Sequence, residues 1–85
     1  MIKRIHWDVV LLIIELVLEN PKILRTPLAQ KCNRNYLQLK KYLEQMVLLE
    51  LITQPEINGK TQIHITELGK RILRKSKGDD SNPSP

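Results

Sequence analysis

The thiol and imidazole side chains of this 85-residue sequence could hold a metal ion, or act as a nucleophile with its base; they are Cys32, His6 and His64. Their spacing matches no ligand pattern, and no carboxylate is placed to orient an imidazole. A single cysteine cannot form an internal disulfide. We therefore expect no metal site, no cofactor and no enzymatic activity.

Charge offers a second kind of chemistry. The sequence has 14 Lys and Arg against 9 Asp and Glu, which gives a formal net charge of +5 and a pI of about 9.6. Asp79 and Asp80 lie near the C-terminus, so the rest of the chain has a still larger excess of positive charge. A small basic domain has polyanions as its first candidate partners.

Composition is that of a folded domain, with 41% hydrophobic and 27% charged residues, and the absence of Phe predicts an aliphatic core. The most apolar stretch, Val9 to Leu18, is about half as long as the roughly 20 residues that cross a bilayer. A signal peptide is disfavoured because Asp8 and Glu15 interrupt this region and no small-residue cleavage site follows. We expect one cytoplasmic domain without a membrane span.

A first helix is predicted from Ile5 to Asn20, where Pro21 ends it. Its polar residues fall on one narrow stripe, so its apolar surface is wider than the face of an ordinary amphipathic helix, which spans about 100°. Beyond the stripe that a core needs, a second stripe is formed by Trp7, Leu11, Ile14 and Leu18. We interpret this second stripe as the interface of a homodimer. The alternative is that helix 1 is the central buried helix, exposed only along its acids.

Two further helices are indicated by local signals. After a short extended piece at Ile23 to Arg25, Thr26 offers an N-cap hydroxyl and Pro27 a first helical residue, so helix 2 is predicted from Pro27 to Cys32. A turn at Asn33-Arg34-Asn35 leads to helix 3, from Tyr36 to Leu49, with Asn35 as its cap.

A β-hairpin and a last helix complete the chain. Extended segments at Leu51 to Ile57 and Lys60 to Thr66 flank Asn58-Gly59, the dipeptide that favours a type I′ turn. Thr66 is the predicted cap of helix 4, from Glu67 to Lys77. This order predicts an α+β fold, the winged helix-turn-helix, with a three-helix core, a hairpin wing and a C-terminal helix. We expect the domain to cover residues 1–77 and residues 78–85 to be a disordered tail.

Four segments also resemble a known family: Trp7 to Val10, Cys32-Asn33-Arg34-Asn35-Tyr36, Lys40-Lys41-Tyr42-Leu43 and Ile65-Thr66-Glu67-Leu68-Gly69. In this order they are similar to the small archaeal winged helix-turn-helix DNA-binding proteins, which include short regulators of archaeal plasmids and viruses. The sequence departs from the family at Glu50, where Gly is usual. Helix 4 is also shorter than the dimerisation helix of many relatives.

The resemblance implies a dimeric, sequence-specific transcription regulator that binds double-stranded DNA, with helix 3 in the major groove. Gln38 would pair with an adenine edge and Leu37 would pack on a thymine methyl group. The wing tip would lie on the flanking backbone. The complete set of predicted DNA contacts is Thr26, Gln30, Arg34, Asn35, Leu37, Gln38, Lys40, Lys41 and Lys60.

These residues also have simpler interpretations. A solvated helix face has the same Lys and Gln content, although it does not need Leu37. Thr26 could act as a cap alone, and Lys60 could protect an edge strand from aggregation. Two other functions stay open for the whole domain. It could be a protein–protein interaction module, or it could bind DNA without sequence preference.

Overall fold

Four helices and four short strands make up residues 6–77, which are the part of the chain described by the computed structural model. The helices are α1 (Trp7–Glu19), α2 (Arg25–Lys31), α3 (Tyr36–Leu48) and α4 (Glu67–Lys77). The strands are β1 (Ile52–Thr53), β2 (Glu56–Ile57), β3 (Lys60–Thr61) and β4 (His64–Ile65). The predicted winged-helix order is confirmed. Helix 1 begins later than predicted, at Trp7, because His6 has the extended backbone of an N-cap residue. Ile5 itself and the predicted tail at 78–85 lie outside the described residues.

The wing is an antiparallel hairpin in two ladders. β2 pairs with β3 next to the turn, where Ile57 faces Lys60, and β1 pairs with β4 at the base, where Ile52 faces Ile65. Asn58 and Gly59 have φ values of 55° and 76°, as the predicted type I′ turn requires. Between the ladders the Gln62 N–H donates to the Pro55 carbonyl at 2.9 Å, so the hairpin continues through the interruption.

The core is aliphatic, as the composition predicts. Ten large side chains are fully buried: Val10, Ile13, Ile14, Leu28, Leu39, Leu43, Met46, Leu51, Ile52 and Ile63. Burying one such side chain stabilises a fold by about 1.5–3 kcal/mol. The set comes from α1, α2, α3 and the wing, so the hairpin is packed onto the helices by its base strand. None of the helices in residues 6–77 is long and apolar enough to cross a membrane.

The start of α2 differs from the prediction. The helix begins at Arg25, and its N-cap is Leu24, which makes no side-chain capping bond. Thr26 and Pro27 are therefore its second and third residues. The predicted extended piece at Ile23 to Arg25 is wrong at Arg25, which is helical, whereas Leu24 has an extended backbone. Pro27 is tolerated because the N–H groups of the first turn have no partner within the helix. The Leu28 N–H donates to the Leu24 carbonyl at 3.1 Å. The first turn of α2 therefore begins earlier than Thr26 and Pro27 predict.

Helices α2 and α3 end in the same backbone motif. Asn33 and Glu50 follow α2 and α3 with φ values of 58° and 64°, in the left-handed region. After α3, the Glu50 N–H bonds the Val47 carbonyl at 2.9 Å and the Leu51 N–H bonds the Met46 carbonyl at 2.9 Å. This is the Schellman pattern of helix termination. Glu50 thus occupies a conformation that favours glycine, at the position where the resembled family has glycine.

Thr66 and Gly69 fix the start of α4. The Gly69 N–H donates to the Thr66 hydroxyl oxygen at 3.1 Å, which confirms the predicted cap, and this hydroxyl donates to the carbonyls of Glu50 and Leu51. A Cβ at Gly69 would lie 2.5 Å from the Leu51 carbonyl oxygen, so only glycine lets α4 approach this closely. At its other end α4 meets α1, where Lys77 Nζ lies 2.8 Å from Glu15 Oε2.

Candidate nucleic-acid interface

Helix α3 presents one buried and one exposed face. Leu39, Tyr42, Leu43 and Met46 pack into the core. The opposite face is open to solvent, and Leu37 on it is 69% exposed. The predicted contacts on this face, all exposed, are Leu37, Gln38, Lys40 and Lys41. Their exposure makes the face available to a ligand.

The turn before α3 holds one of its own side chains in place. Asn35 Oδ1 accepts the Gln38 N–H at 2.8 Å, so the predicted N-cap is confirmed. The amide oxygen of Asn35 is therefore used within the helix, while its NH2 group stays available as a donor. Arg34 and, on α2, Thr26 and Gln30 are exposed.

A shallow depression of about 290 Å³ joins α2, the start of α3 and the wing. We call it the Arg25 depression. It is lined by Leu24, Arg25, Thr26, Pro27, Tyr36, Lys60 and Thr61. Two predicted contact residues, Thr26 and Lys60, thus lie on one surface although they are far apart in the chain.

Arg25 is the functional candidate that the sequence interpretation missed. Its Nη1 donates to Tyr36 Oη at 3.2 Å, and its Nη2 donates to Gln54 Oε1 at 3.0 Å. The guanidinium therefore links α2 to the first residue of α3 and to the wing. The sequence interpretation placed Arg25 in an extended piece before helix 2, and no local signal there indicates contacts with α3 and the wing.

Among the described residues, the positive charges of this surface form no ion pairs. The ion pairs found in residues 6–77 are Lys70–Glu67 at 3.8 Å and Lys77–Glu15 at 2.8 Å, and both involve α4. Across the same described range, no ion pair is formed by the basic residues of α2, α3, the turn and the wing, namely Arg25, Lys31, Arg34, Lys40, Lys41 and Lys60. Their charge is left for an external anion.

A profile of the winged helix-turn-helix family matches residues 3–79. The chain belongs to the winged helix-turn-helix family. Its fold is also similar to that of the multiple antibiotic-resistance repressor (MarR) from Listeria monocytogenes, with a TM-score of 0.71 and 13% sequence identity. The superposition covers 81% of this chain and 48% of that protein, so this winged helix spans about half the length of the repressor. No curated protein sequence matches the chain.

Only part of the second apolar stripe of α1, which was predicted to form the dimer interface, is exposed in the single chain. Ile14 is fully buried in the core of the single chain, so its assignment to an interface is wrong. It lies on the side of α1 that also buries Val10 and Val17. Trp7 and Leu18 are 45% and 40% exposed, and Leu11 is half-buried. The exposed remainder of the stripe is therefore narrower than predicted.

Cys32 packs in the core at the end of α2. Burial raises the pKa of its thiol, and the nearby Arg34 charge opposes this shift. The thiol thus stays protonated and unreactive at neutral pH. Within residues 6–77 no group of His, Cys, Asp and Glu side chains is arranged to hold a metal ion.

Proposed function

We propose that this winged helix is a transcription regulator that binds double-stranded DNA, with α3 in the major groove and the wing on the flanking backbone. The observation that carries the proposal is the surface formed by α2, α3 and the wing, whose basic side chains have no ion-pair partner among the described residues. A major groove about 12 Å wide accepts one α-helix. Phosphates on both sides of the groove would then supply the missing negative charge.

Sequence-specific recognition belongs to the first turns of α3. Gln38 is exposed and has an amide that can bond an adenine edge, and the exposed Leu37 can contact a thymine methyl group. Lys40, Lys41 and Arg34 are assigned to phosphates. The exposed Leu37 lies beside Gln38 and Lys41 in the first turns of α3, which supports base contact over simple solvation.

We also propose that the protein acts as a homodimer through the exposed part of α1, formed by Trp7, Leu11 and Leu18. Large apolar side chains that stay exposed on a small domain mark a surface that gains stability from a partner. A two-fold dimer would place two α3 helices on half-sites about 34 Å apart.

The test is DNA binding measured against salt concentration with duplexes from upstream of the gene and with random duplexes. Four phosphate contacts per protomer, from Arg34, Lys40, Lys41 and Lys60, predict that log affinity falls by about 3–4 per protomer for each log unit of salt, and by about 7 for the dimer. Lys41→Gln should reduce this slope by about 0.9 per protomer for every sequence. Leu37→Ala or Gln38→Ala should reduce the preference for the upstream duplex about 5–100-fold.

Lys75→Gln on α4 removes the same charge outside the proposed interface and serves as the matched control. It should leave the sequence preference and most of the affinity intact. Absent binding, or binding insensitive to salt, would reject the proposal in favour of a protein–protein interaction module. Equal affinity for both duplexes would identify an architectural DNA-binding protein.

A further inference from the structure

Among the described residues, the guanidinium of Arg25 hydrogen-bonds only neutral groups. Its terminal nitrogens bond a phenol oxygen and an amide oxygen, on Tyr36 and Gln54. Its Nε is shielded from solvent and bonds no group in the described residues. A partly buried cation without a counter-ion strongly favours a nearby anion.

The hydroxyl of Tyr36 is oriented by this contact. It accepts a hydrogen bond from Arg25 at 3.2 Å, so its own proton is available to a second acceptor. Tyr36 is 42% exposed and lines the Arg25 depression. Arg25 thus holds a hydrogen-bond donor in a fixed place at the first residue of α3.

The other polar groups of the depression are also donors. Thr26 and Thr61 contribute hydroxyl groups and Lys60 contributes an ammonium group, while no carboxylate is among the lining residues that the structure describes. A site with several donors, two positive charges and no acid is suited to a phosphate oxygen.

We propose that the Arg25 depression binds one backbone phosphate of duplex DNA, with Tyr36, Thr26 and Lys60 as direct ligands and Arg25 as a positioning residue. The inference rests on the proposed DNA-binding function. One phosphate would contact α2, α3 and the wing together. It would therefore fix where α3 begins relative to the DNA backbone, which sets the register of base contacts.

Inorganic phosphate tests the site without DNA. The full chain, labelled with 15N, is titrated with phosphate while the Arg25 Nε–H and the backbone amides are followed by NMR. The resonances of Arg25, Thr26 and Lys60 should shift together with one dissociation constant, and Tyr36→Phe should weaken this constant at least 5-fold. Shifts of equal size at the lysines and arginines of α4 would show only diffuse ion binding and would overturn the inference.

Duplex DNA tests the assignment to a backbone phosphate. Tyr36→Phe should weaken binding about 3–10-fold for every sequence with an unchanged salt slope, because the lost hydroxyl is neutral. Lys60→Gln should lower the slope by about 0.9 per protomer. Arg25→Lys keeps the charge but loses the forked geometry, so it should weaken binding as much as Tyr36→Phe.

The double variant Arg25→Lys with Tyr36→Phe should bind no more weakly than either single variant, because Arg25 acts through Tyr36. Additive losses would reject the positioning role. Wild-type binding that neither Tyr36→Phe nor Lys60→Gln changes would overturn this inference and leave the proposed function intact. Absence of DNA binding by the wild-type chain would instead reject the proposed function. The phosphate titration of the wild-type chain tests phosphate binding in the Arg25 depression even where a variant fails to fold.

Discussion

Asn33 and Glu50 have the same backbone conformation but differ in how well their side chains tolerate it. Left-handed φ values are enriched for asparagine, whose short side chain bonds locally, and are unfavourable for glutamate. Asn33 therefore suits the turn between α2 and α3. Glu50, with a φ of 64°, retains strain at the joint between α3 and the wing.

Replacing Glu50 by glycine should relieve this strain. We expect Glu50→Gly to raise the free energy of unfolding by about 0.5–1 kcal/mol, measured by urea denaturation. Glu50→Ala retains the Cβ and should not be stabilised. If both variants gained the same free energy of unfolding, the cause would be loss of the carboxylate, and backbone strain at Glu50 would be rejected.

The amide oxygen of Asn35 caps α3, and its NH2 group is the donor proposed to contact DNA. Asn35→Ala removes the oxygen that caps α3 and should cost about 1 kcal/mol of stability. Asn35→Ser keeps a capping oxygen and lacks the NH2 donor, so it should restore stability but leave DNA affinity several-fold reduced. Denaturation and duplex binding are measured on both variants. Affinity that simply follows stability would show that Asn35 is a cap and no DNA ligand.

At the scale of elements, the approach of α4 to the base of the wing depends on Gly69. This residue is buried, and the Thr66 hydroxyl ties the same region to the carbonyls of Glu50 and Leu51. The end of α3, the start of β1 and the start of α4 thus meet at one point. Substitutions there change how three elements pack together.

Gly69→Ala should destabilise the protein by about 1–3 kcal/mol, because the new methyl group displaces the Leu51 backbone. Helix propensity alone predicts the opposite sign, a gain of up to about 1 kcal/mol. Thermal unfolding should show a fall in Tm of about 4–8 °C per kcal/mol. Lys75→Ala on the exposed side of α4 is the control and should change Tm little. A higher Tm for Gly69→Ala would reject the packing explanation.

At the scale of the whole molecule, the interface residues divide between two surfaces. The surface of α2, α3 and the wing is basic and contains the proposed DNA contacts. The exposed part of α1 has large apolar side chains beside its acids, and Glu15 there pairs with Lys77. In the proposed regulator, this division would let one surface bind DNA while the other contacts a second copy.

Leu18→Glu should convert the proposed dimer to a monomer, because it places a charge in an apolar contact. Sedimentation equilibrium over a range of concentrations measures the change. Leu48→Glu, at a side chain that is 75% exposed on α3, is the matched control and should leave the dimer intact. If Leu48→Glu alone dissociates the dimer, the interface lies at the end of α3.

Local signals in the sequence predicted much of the fold. Asn35, Asn58-Gly59 and Thr66 act through their own φ preference or through a bond to a residue three positions away, so they gave the cap of α3, the wing turn and the cap of α4. The hydrophobic periodicity of α3 likewise predicted its buried and exposed faces. Such signals involve only residues close together in the sequence, so they can be predicted without the tertiary structure.

Only the tertiary structure decided the start of α2, the burial of Ile14 and the role of Arg25. The helical wheel places Ile14 on the second apolar stripe of helix 1, but the packing of the chain around α1 buries it in the core. Arg25 bonds Tyr36 and Gln54, which are 11 and 29 residues away in the chain. Contacts at such separations depend on how whole elements pack, and no local pattern of residue types encodes them.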